Sequence, residues 1–292
     1  LKKDHDQSFR VRIWGARGSI PAPGPNTVKY GGNTPCVEVR CGDKLIILDA
    51  GSGIRPLGIA LQEEQPLTAY ILFSHLHWDH IQGFPFFRPA FRPENQFHIY
   101  AKRQLNTTLE NLMSGQMMYP HFPKSLQDMA ATMSFHELDH GDTINVGEAK
   151  ITCAPANHPD GCIVFRIEYQ KKVLVYATDT EHFEGCIDPV LKNLCKGADC
   201  VIYDTMFTQE EYLGENGNHP RAGWGHSTWL QGVDLAKAAE VKRLVLFHHD
   251  PAHDDDFIEE MEKQARQQFP ETYAAYEGLT FELNPKNEVA VK

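Results

Sequence analysis

The stretch Tyr70-Ile71-Leu72-Phe73-Ser74-His75-Leu76-His77-Trp78-Asp79-His80 runs from an apolar segment straight into four side chains able to bind metal. Tyr70 to Phe73 reads as the buried end of a strand, Ala69 to Phe73, because its residues are aromatic, β-branched or long aliphatic. A strand that ends in His-x-His-x-Asp-His is a poor core, since every imidazole and carboxylate would need a partner. It is a good holder for two metal ions. If the strand persists to them, His75 and His77 emerge on one side. Asp79 and His80 follow where the chain can turn into a helix, with Gly83 giving it room.

Outward from this stretch, the first half reads as short strands with glycine-rich joints. Phe9 to Trp14 is a strand, 15 to 32 a long loop, and Pro35 to Arg40 with Lys44 to Leu48 a hairpin. Asp49-Ala50-Gly51-Ser52-Gly53 turns the chain out of it, and Ile54 to Glu63 is helix-compatible. Phe84 to Pro93 is aromatic and proline-punctuated, and fits either a packed loop or a wall of a substrate pocket built from Phe84, Phe86, Phe87 and Phe91. After a strand at Gln96 to Tyr100, Leu105 to Met118 reads as a helix with Leu105, Leu109 and Leu112 on one side. The region from about 105 to 133, carrying Tyr119 and His121, looks like a helical insertion, either a lid over a substrate or a dimer surface.

The second half repeats the style. Thr143 to Val146, Lys150 to Ala154, Cys162 to Tyr169, Lys172 to Ala177, Cys200 to Tyr203 and Arg243 to Phe247 are strand candidates. Asp188 to Cys195, Thr228 to Ala239 and Asp254 to Phe269 are helical, the last with an acidic first turn. The acidic, histidine-bearing run from His253 to Asp256 fits a solvated helix start better than an accessory cation site. Two strand-rich halves, each followed by helices, predict an α/β architecture of two facing sheets with helices outside. A single domain over 8–283 and a loose tail over 284–292 are expected.

Composition bounds the function. Hydrophobic residues at 41% and charged residues at 23% describe a soluble globular chain. No segment has the roughly 18 apolar residues that span a bilayer. Residues Leu1 to Gln7 are polar, without a signal-peptide core, and the opening Leu1 is compatible with a piece of a longer chain. Seven scattered cysteines without paired zinc spacing fit reduced thiols and a cytoplasmic location. With 28 basic against 39 acidic residues and a net charge of −11, an extended nucleic-acid partner is disfavoured.

Further candidates follow other apolar strands: His158 in Ala156-Asn157-His158-Pro159, Asp179 in Ala177-Thr178-Asp179-Thr180, and His248 after Leu244-Val245-Leu246-Phe247. Strand ends of this kind are where layered α/β proteins bind ligands. With Asp49-Ala50-Gly51 and the His75–His80 cluster, in this order, the chain resembles the metallo-β-lactamase fold hydrolase superfamily. The resemblance implies an αββα sandwich of two mixed sheets with outer helices and a dinuclear site at its edge. It implies one metal on His75, His77 and His158, a second on Asp79, His80 and His248, and Asp179 bridging. Zn²⁺ is the first expectation, with Mn²⁺, Fe²⁺ or Ni²⁺ as alternatives. The bridging aspartate points to the phosphodiesterase and glyoxalase-type branches, because the β-lactamases themselves carry a cysteine there.

Gly225-His226-Ser227-Thr228 resembles the His-Ser-Thr motif of the tRNA 3′-processing endonucleases and related phosphodiesterases. The resemblance makes His226 the group that contacts the phosphate or protonates the leaving oxygen, with Asp204 orienting it, Asp79 orienting the attacking water, and Ser227 and Thr228 near substrate. The segments Trp14-Gly15-Ala16-Arg17-Gly18-Ser19 and Tyr30-Gly31-Gly32-Asn33-Thr34 resemble the bacterial cyclic-phosphate and cyclic-nucleotide phosphodiesterases, and Asn33 is a candidate substrate contact. The basic arm of the tRNA enzymes has no counterpart, since 105–133 holds Lys124 but no cluster of Lys and Arg. The expectation is a metal-dependent hydrolase of a small phosphodiester, a cyclic nucleotide or cyclic ribose phosphate, acting as a homodimer. An RNA 3′-end endonuclease, a thioester or lactone hydrolase, and a non-enzymatic sensor or scaffold are the alternatives.

Overall fold

Buried apolar runs set the strands. A computed structural model describes residues 7–215, 217 and 219–283; the expected tail at 284–292 lies outside them. β1 (Phe9–Gly15), β2 (Cys36–Cys41), β3 (Lys44–Leu48), β4 (Thr68–Leu72), β5 (Gln96–Lys102) and β6 (Thr132–Leu138) belong to one sheet. β7 (Thr143–Val146), β8 (Ala149–Ala156), β9 (Cys162–Tyr169), β10 (Lys172–Ala177), β11 (Cys200–Asp204), β12 (Leu244–Phe247) and β13 (Thr272–Ala274) form the other. β14 (Thr280–Glu282) returns to the first sheet, giving the order β14-β1-β2-β3-β4-β5-β6 against β13-β12-β11-β10-β9-β8-β7.

Both sheets are mixed in the same way. β14, β1, β2 and β3 pair antiparallel, and β3 to β6 pair parallel. β7 to β10 pair antiparallel, and β10 to β13 parallel. The central parallel strands β3, β10, β11 and β12 read as largely apolar runs, as strands covered on both faces must. The β9–β10 hairpin turns at Gln170 and Lys171, whose φ of 48° and 62° match the right-handed strand twist.

Three apolar layers hold the sandwich. One lies between the sheets and includes Val37, Ile46, Leu72, Phe165, Tyr176 and Phe247. A second packs the outer face of the first sheet on α1 (Ile54–Ala60), α2 (Trp78–Ile81) and α3 (Leu109–Gly115). A third packs the second sheet on α4 (Pro189–Cys195), α6 (Trp229–Ala238) and α7 (Asp255–Gln268), with the short α5 (Gln209–Leu213) near the site. Each fully buried Leu, Ile or Phe side chain contributes about 1.5–3 kcal/mol. The layers form the αββα sandwich expected from the sequence.

Several expectations need correction. The helix read over Leu105 to Met118 shrinks to α3, because Thr108 caps it by accepting from the Asn111 N–H. Its buried face is Leu109 and Met113, while Leu105 is exposed. The proposed insertion ends in a true strand, since Thr132 and Met133 open β6. β4 stops at Leu72, so alternation along a pleat does not place His75 and His77; a loop does. The His253–Asp256 run, by contrast, is the helix start expected: Asp254 accepts from the Phe257 N–H, Asp255 from the Lys29 and Tyr30 N–H groups, and His253 pairs with Glu211.

Candidate metal centre and active site

The parallel registers bring the candidates to one edge. Leu48 lies beside Leu72, Ala177 beside Tyr203, and Asp204 beside Phe247. The residues that follow β3, β4, β10 and β12 therefore leave the sheets at a common level. Three of them turn back sharply: Asp49, Asp179 and His248 have φ of 59°, 51° and 62°. Such left-handed backbone costs about 1–3 kcal/mol at a non-glycine residue, and clusters where function demands it. Gly18 is required opposite, because a Cβ there would lie 2.5 Å from the His248 ring.

The ligand atoms of His75, His77 and His158 lie within 4.8 Å of one another, as do those of Asp79, His80 and His248. Asp179 faces both groups. Its Oδ1 is 3.8 Å from His75 Nε2 and 4.0 Å from His158 Nε2, while its Oδ2 is 3.2 Å from His80 Nε2 and 3.4 Å from His248 Nε2. The seven sequence-predicted ligands thus gather in one cluster.

Polar atoms without partners test whether cations fit it. His75 Nε2 and His80 Nε2 are buried without a hydrogen-bond partner. His80 Nδ1 lies 2.8 Å from Asp49 Oδ2, so it carries the proton and leaves the Nε2 lone pair facing Asp79 and Asp179. His158 Nδ1 donates to the Gly225 carbonyl at 2.9 Å, which leaves its Nε2 an acceptor, 3.2 Å from His77 Nδ1. Buried imidazole lone pairs beside carboxylates are a donor set suited to divalent cations.

The carboxylates favour positive charge in the cluster, either a proton on His80 Nε2 or a cation that displaces it. Burial disfavours charge on His80, yet Asp179, Asp79 and Asp49 outweigh it and raise its pKa. Burial also works against the Asp79 and Asp179 carboxylates, but neighbouring histidines, His80 for the first and His248 then His80 for the second, hold both well below the usual range. Burial and His80 lower His75, and burial lowers His158.

His226 stands beside the cluster in a different role. Its Nδ1 is 2.7 Å from Asp204 Oδ2, and its ring stacks on His248 at 4.9 Å between centroids. Burial lowers its pKa, but Asp204, through charge and hydrogen bond, then Asp179, push it up to about 9. Asp204 itself is fixed by the Met206 N–H at 3.0 Å.

Other site candidates are placed differently. Phe84 and Phe87 are buried, in edge contact with Phe73 and Phe97, so they belong to the core and do not line a pocket. Phe86 is exposed and meets Phe122 edge-on; Tyr119, 91% exposed, and His121 lie on the surface of the 105–133 region. Ser227 and Thr228 are fully buried. Ser227 Oγ is bonded to His182 and Tyr203, and Thr228 Oγ1 caps α6 by accepting from the Gln231 N–H, so both shape the turn around His226 instead of facing substrate. Asn33 Oδ1 accepts from Ser52 Oγ at 2.8 Å, and its carbonyl receives the Ala16 and Arg17 N–H groups.

Two contributions lie within motifs quoted from the sequence but were assigned no role there. Asp49 is the hub behind His80: it also accepts from the Ser74 N–H and hydroxyl and from Tyr176 OH at 2.7 Å. An aspartate at a strand end, followed by Ala50 and Gly51, was the available signal. Ser19 donates its backbone N–H to Asp79 Oδ2 at 2.8 Å, a contact that leaves no side-chain signature.

Comparison with known proteins is consistent with this geometry. The family model described as beta-lactamase superfamily domain matches residues 45–249. Ribonuclease Z of Bacteroides thetaiotaomicron is 22% identical, over 95% of this chain and 96% of its own length. The metallo-beta-lactamase fold protein YhfI from Bacillus subtilis superposes with a TM-score of 0.71 at 19% identity, over 94% of this chain and 99% of that one. A diphosphatase from the PhnP family gives 0.69 at 19% identity, over 94% and 98%.

Proposed function

The chain belongs to the beta-lactamase superfamily domain family, and from that premise we propose that it is a metal-dependent phosphodiesterase of a small substrate, a cyclic nucleotide or cyclic ribose phosphate. The observation that carries the reading is His226, held by Asp204 at 2.7 Å beside the His/Asp cluster. Hydrolysis of a phosphodiester expels an alkoxide, which needs a proton and a donor placed beside the reacting phosphorus.

His75, His77 and His158 would hold one cation and Asp79, His80 and His248 another, with Asp179 between. Divalent cations, when bound, supply Lewis acidity and offset the charge of the phosphoryl group. The rest falls to the chain's own groups. His226 gives its Nδ1–H to Asp204, so its Nε2–H is the proton for the leaving oxygen. Asp204, through its charge and hydrogen bond, favours the protonated imidazole. Asp79, kept ionised and pinned by the Ser19 N–H, orients the attacking water through its carboxylate.

The small substrate is supported by the −11 charge and by a 105–133 region without clustered Lys and Arg. A second reading, an RNA 3′-end endonuclease, is favoured by the near full-length similarity to a protein named Ribonuclease Z. The two separate on a panel of cyclic nucleotide, cyclic ribose phosphate and precursor RNA, each with zinc or manganese. The small cyclic phosphate should show the higher kcat/KM, with a KM nearly constant from ~50 to ~200 mM salt. Efficient cutting of the RNA with a steep salt dependence would favour the nuclease. A homodimer is supported by the large apolar side chains Trp78, Phe86, Met118 and Tyr119, each exposed on this chain. Sedimentation at the 33.1 kDa mass of one chain would reject it.

A further inference from the structure

We propose that Glu181 is a positioning residue that locks the turn carrying Gly225 and His226 against the turn carrying His158. Glu181 lies two residues beyond Asp179 and is 8% exposed. Its backbone joins the His158 turn: the Glu181 N–H donates to the Asn157 carbonyl at 2.8 Å, and Asn157 Nδ2 donates back to the Glu181 carbonyl at 3.1 Å. Its side chain reaches the other turn. Oε1 accepts from Tyr212 OH at 2.7 Å and the Gly223 N–H at 2.8 Å, and Oε2 from the Gly223 N–H at 3.0 Å and the Gly225 N–H at 2.8 Å.

Gly225 passes this restraint on. Its N–H is held by Glu181 while its carbonyl accepts from His158 Nδ1 at 2.9 Å. With φ of +85° and a missing Cβ that would overlap the His158 ring, the position admits only glycine. The carboxylate therefore fixes which His158 nitrogen carries the proton and where the other one points. The next residue is His226. Three turns that bear His158, Asp179 and His226 meet at one residue, the first through its backbone and the last through its carboxylate, and every group the carboxylate receives is a donor. An amide in its place would turn an N–H toward at least one of those donors.

The inference rests on the reading of the cluster as a metal centre, and metal affinity tests it. Zinc binding by wild type, Glu181→Gln and Tyr212→Phe is measured by competition with a chromophoric chelator, alongside thermal unfolding of the metal-free proteins. Glu181→Gln should weaken one zinc by roughly 10–100-fold, the usual effect of losing an outer partner of a ligand, while Tyr212→Phe, which spares the glycine contacts, stays within about twofold of wild type. If Glu181→Gln does not fold, Glu181→Asp carries the test: it keeps a carboxylate but withdraws it by one methylene, and must weaken the same zinc. Unchanged affinity in the folded Glu181 variant, or an equal loss in Tyr212→Phe, would overturn the proposal. A wild-type chain that takes up no zinc would overturn the metal reading and this inference together, whereas failure of the Glu181 variants alone leaves the metal reading standing.

Discussion

His226 and the histidines around Asp179 share one cluster but have different orienting partners, and that difference is testable. His226→Ala should leave metal content intact yet lower turnover of an unactivated phosphodiester by roughly 10²–10⁴-fold, the range for general acid–base catalysis. A para-nitrophenyl ester should lose less, because its leaving group needs little protonation; equal losses on both would leave His226 only a phosphate-binding role. Asp49→Asn should do the reverse. It presents an amide to His80 Nδ1 and Tyr176 OH, and should weaken metal binding by ~10–100-fold, as measured by chelator competition. The His75–His80 cluster was legible because its members are nearly consecutive, and His158, Asp179 and His248 because each ends an apolar run. Asp49 was quoted but its role was not, since its partners His80 and Tyr176 are 31 and 127 positions away. The aromatic stretch misled because exposure alternates within it: Phe84 and Phe87 turn inward and Phe86 outward.

At the level of elements, α6 and the parallel strands of the second sheet hold the turns that bear Asp179, His226 and His248 in place. Thr228 caps α6, so Thr228→Ala should cost about 0.5–2 kcal/mol in denaturant unfolding while KM stays near wild type. A large rise in KM with unchanged stability would restore Thr228 as a substrate contact. Asp199 ties β10 to the strands beside it by accepting from the Val173 N–H, Lys172 Nζ and Lys242 Nζ. Partial burial raises its pKa, but the two lysines and the backbone donor outweigh that and leave it lowered. A depressed carboxyl stabilises the fold above its unfolded value and loses that contribution as pH falls through the folded one. Asp199→Asn should therefore lower the Tm at neutral pH and show a shallower Tm decline below about pH 4 than wild type; parallel Tm–pH curves would contradict this. Strands with continuous apolar runs were legible. β6 was not, because its burial is intermediate along nearly its whole length, and β13 and β14 were not, because three residues carry no period.

Across the whole molecule, the repeated pattern of antiparallel then parallel strands explains why one edge collects Asp49, the His75–His80 cluster, Asp179, Asp204 and His248, while His158 joins them from the turn after antiparallel β8. Parallel strands end together, and the two sheets bring their parallel halves to the same rim. The sandwich class could be inferred from two strand-rich halves, but the strand order depends on pairings between distant segments, which spacing does not encode. Among the described residues no helix is long and apolar enough to cross a membrane. The central claim is that this rim is a metal centre that hydrolyses phosphodiesters. Protein purified without chelators should contain about two divalent ions per chain, and its turnover of bis-para-nitrophenyl phosphate should vanish on chelation and return with added zinc or manganese. A metal content near zero that added ions cannot raise, or turnover indifferent to chelation, would contradict the account.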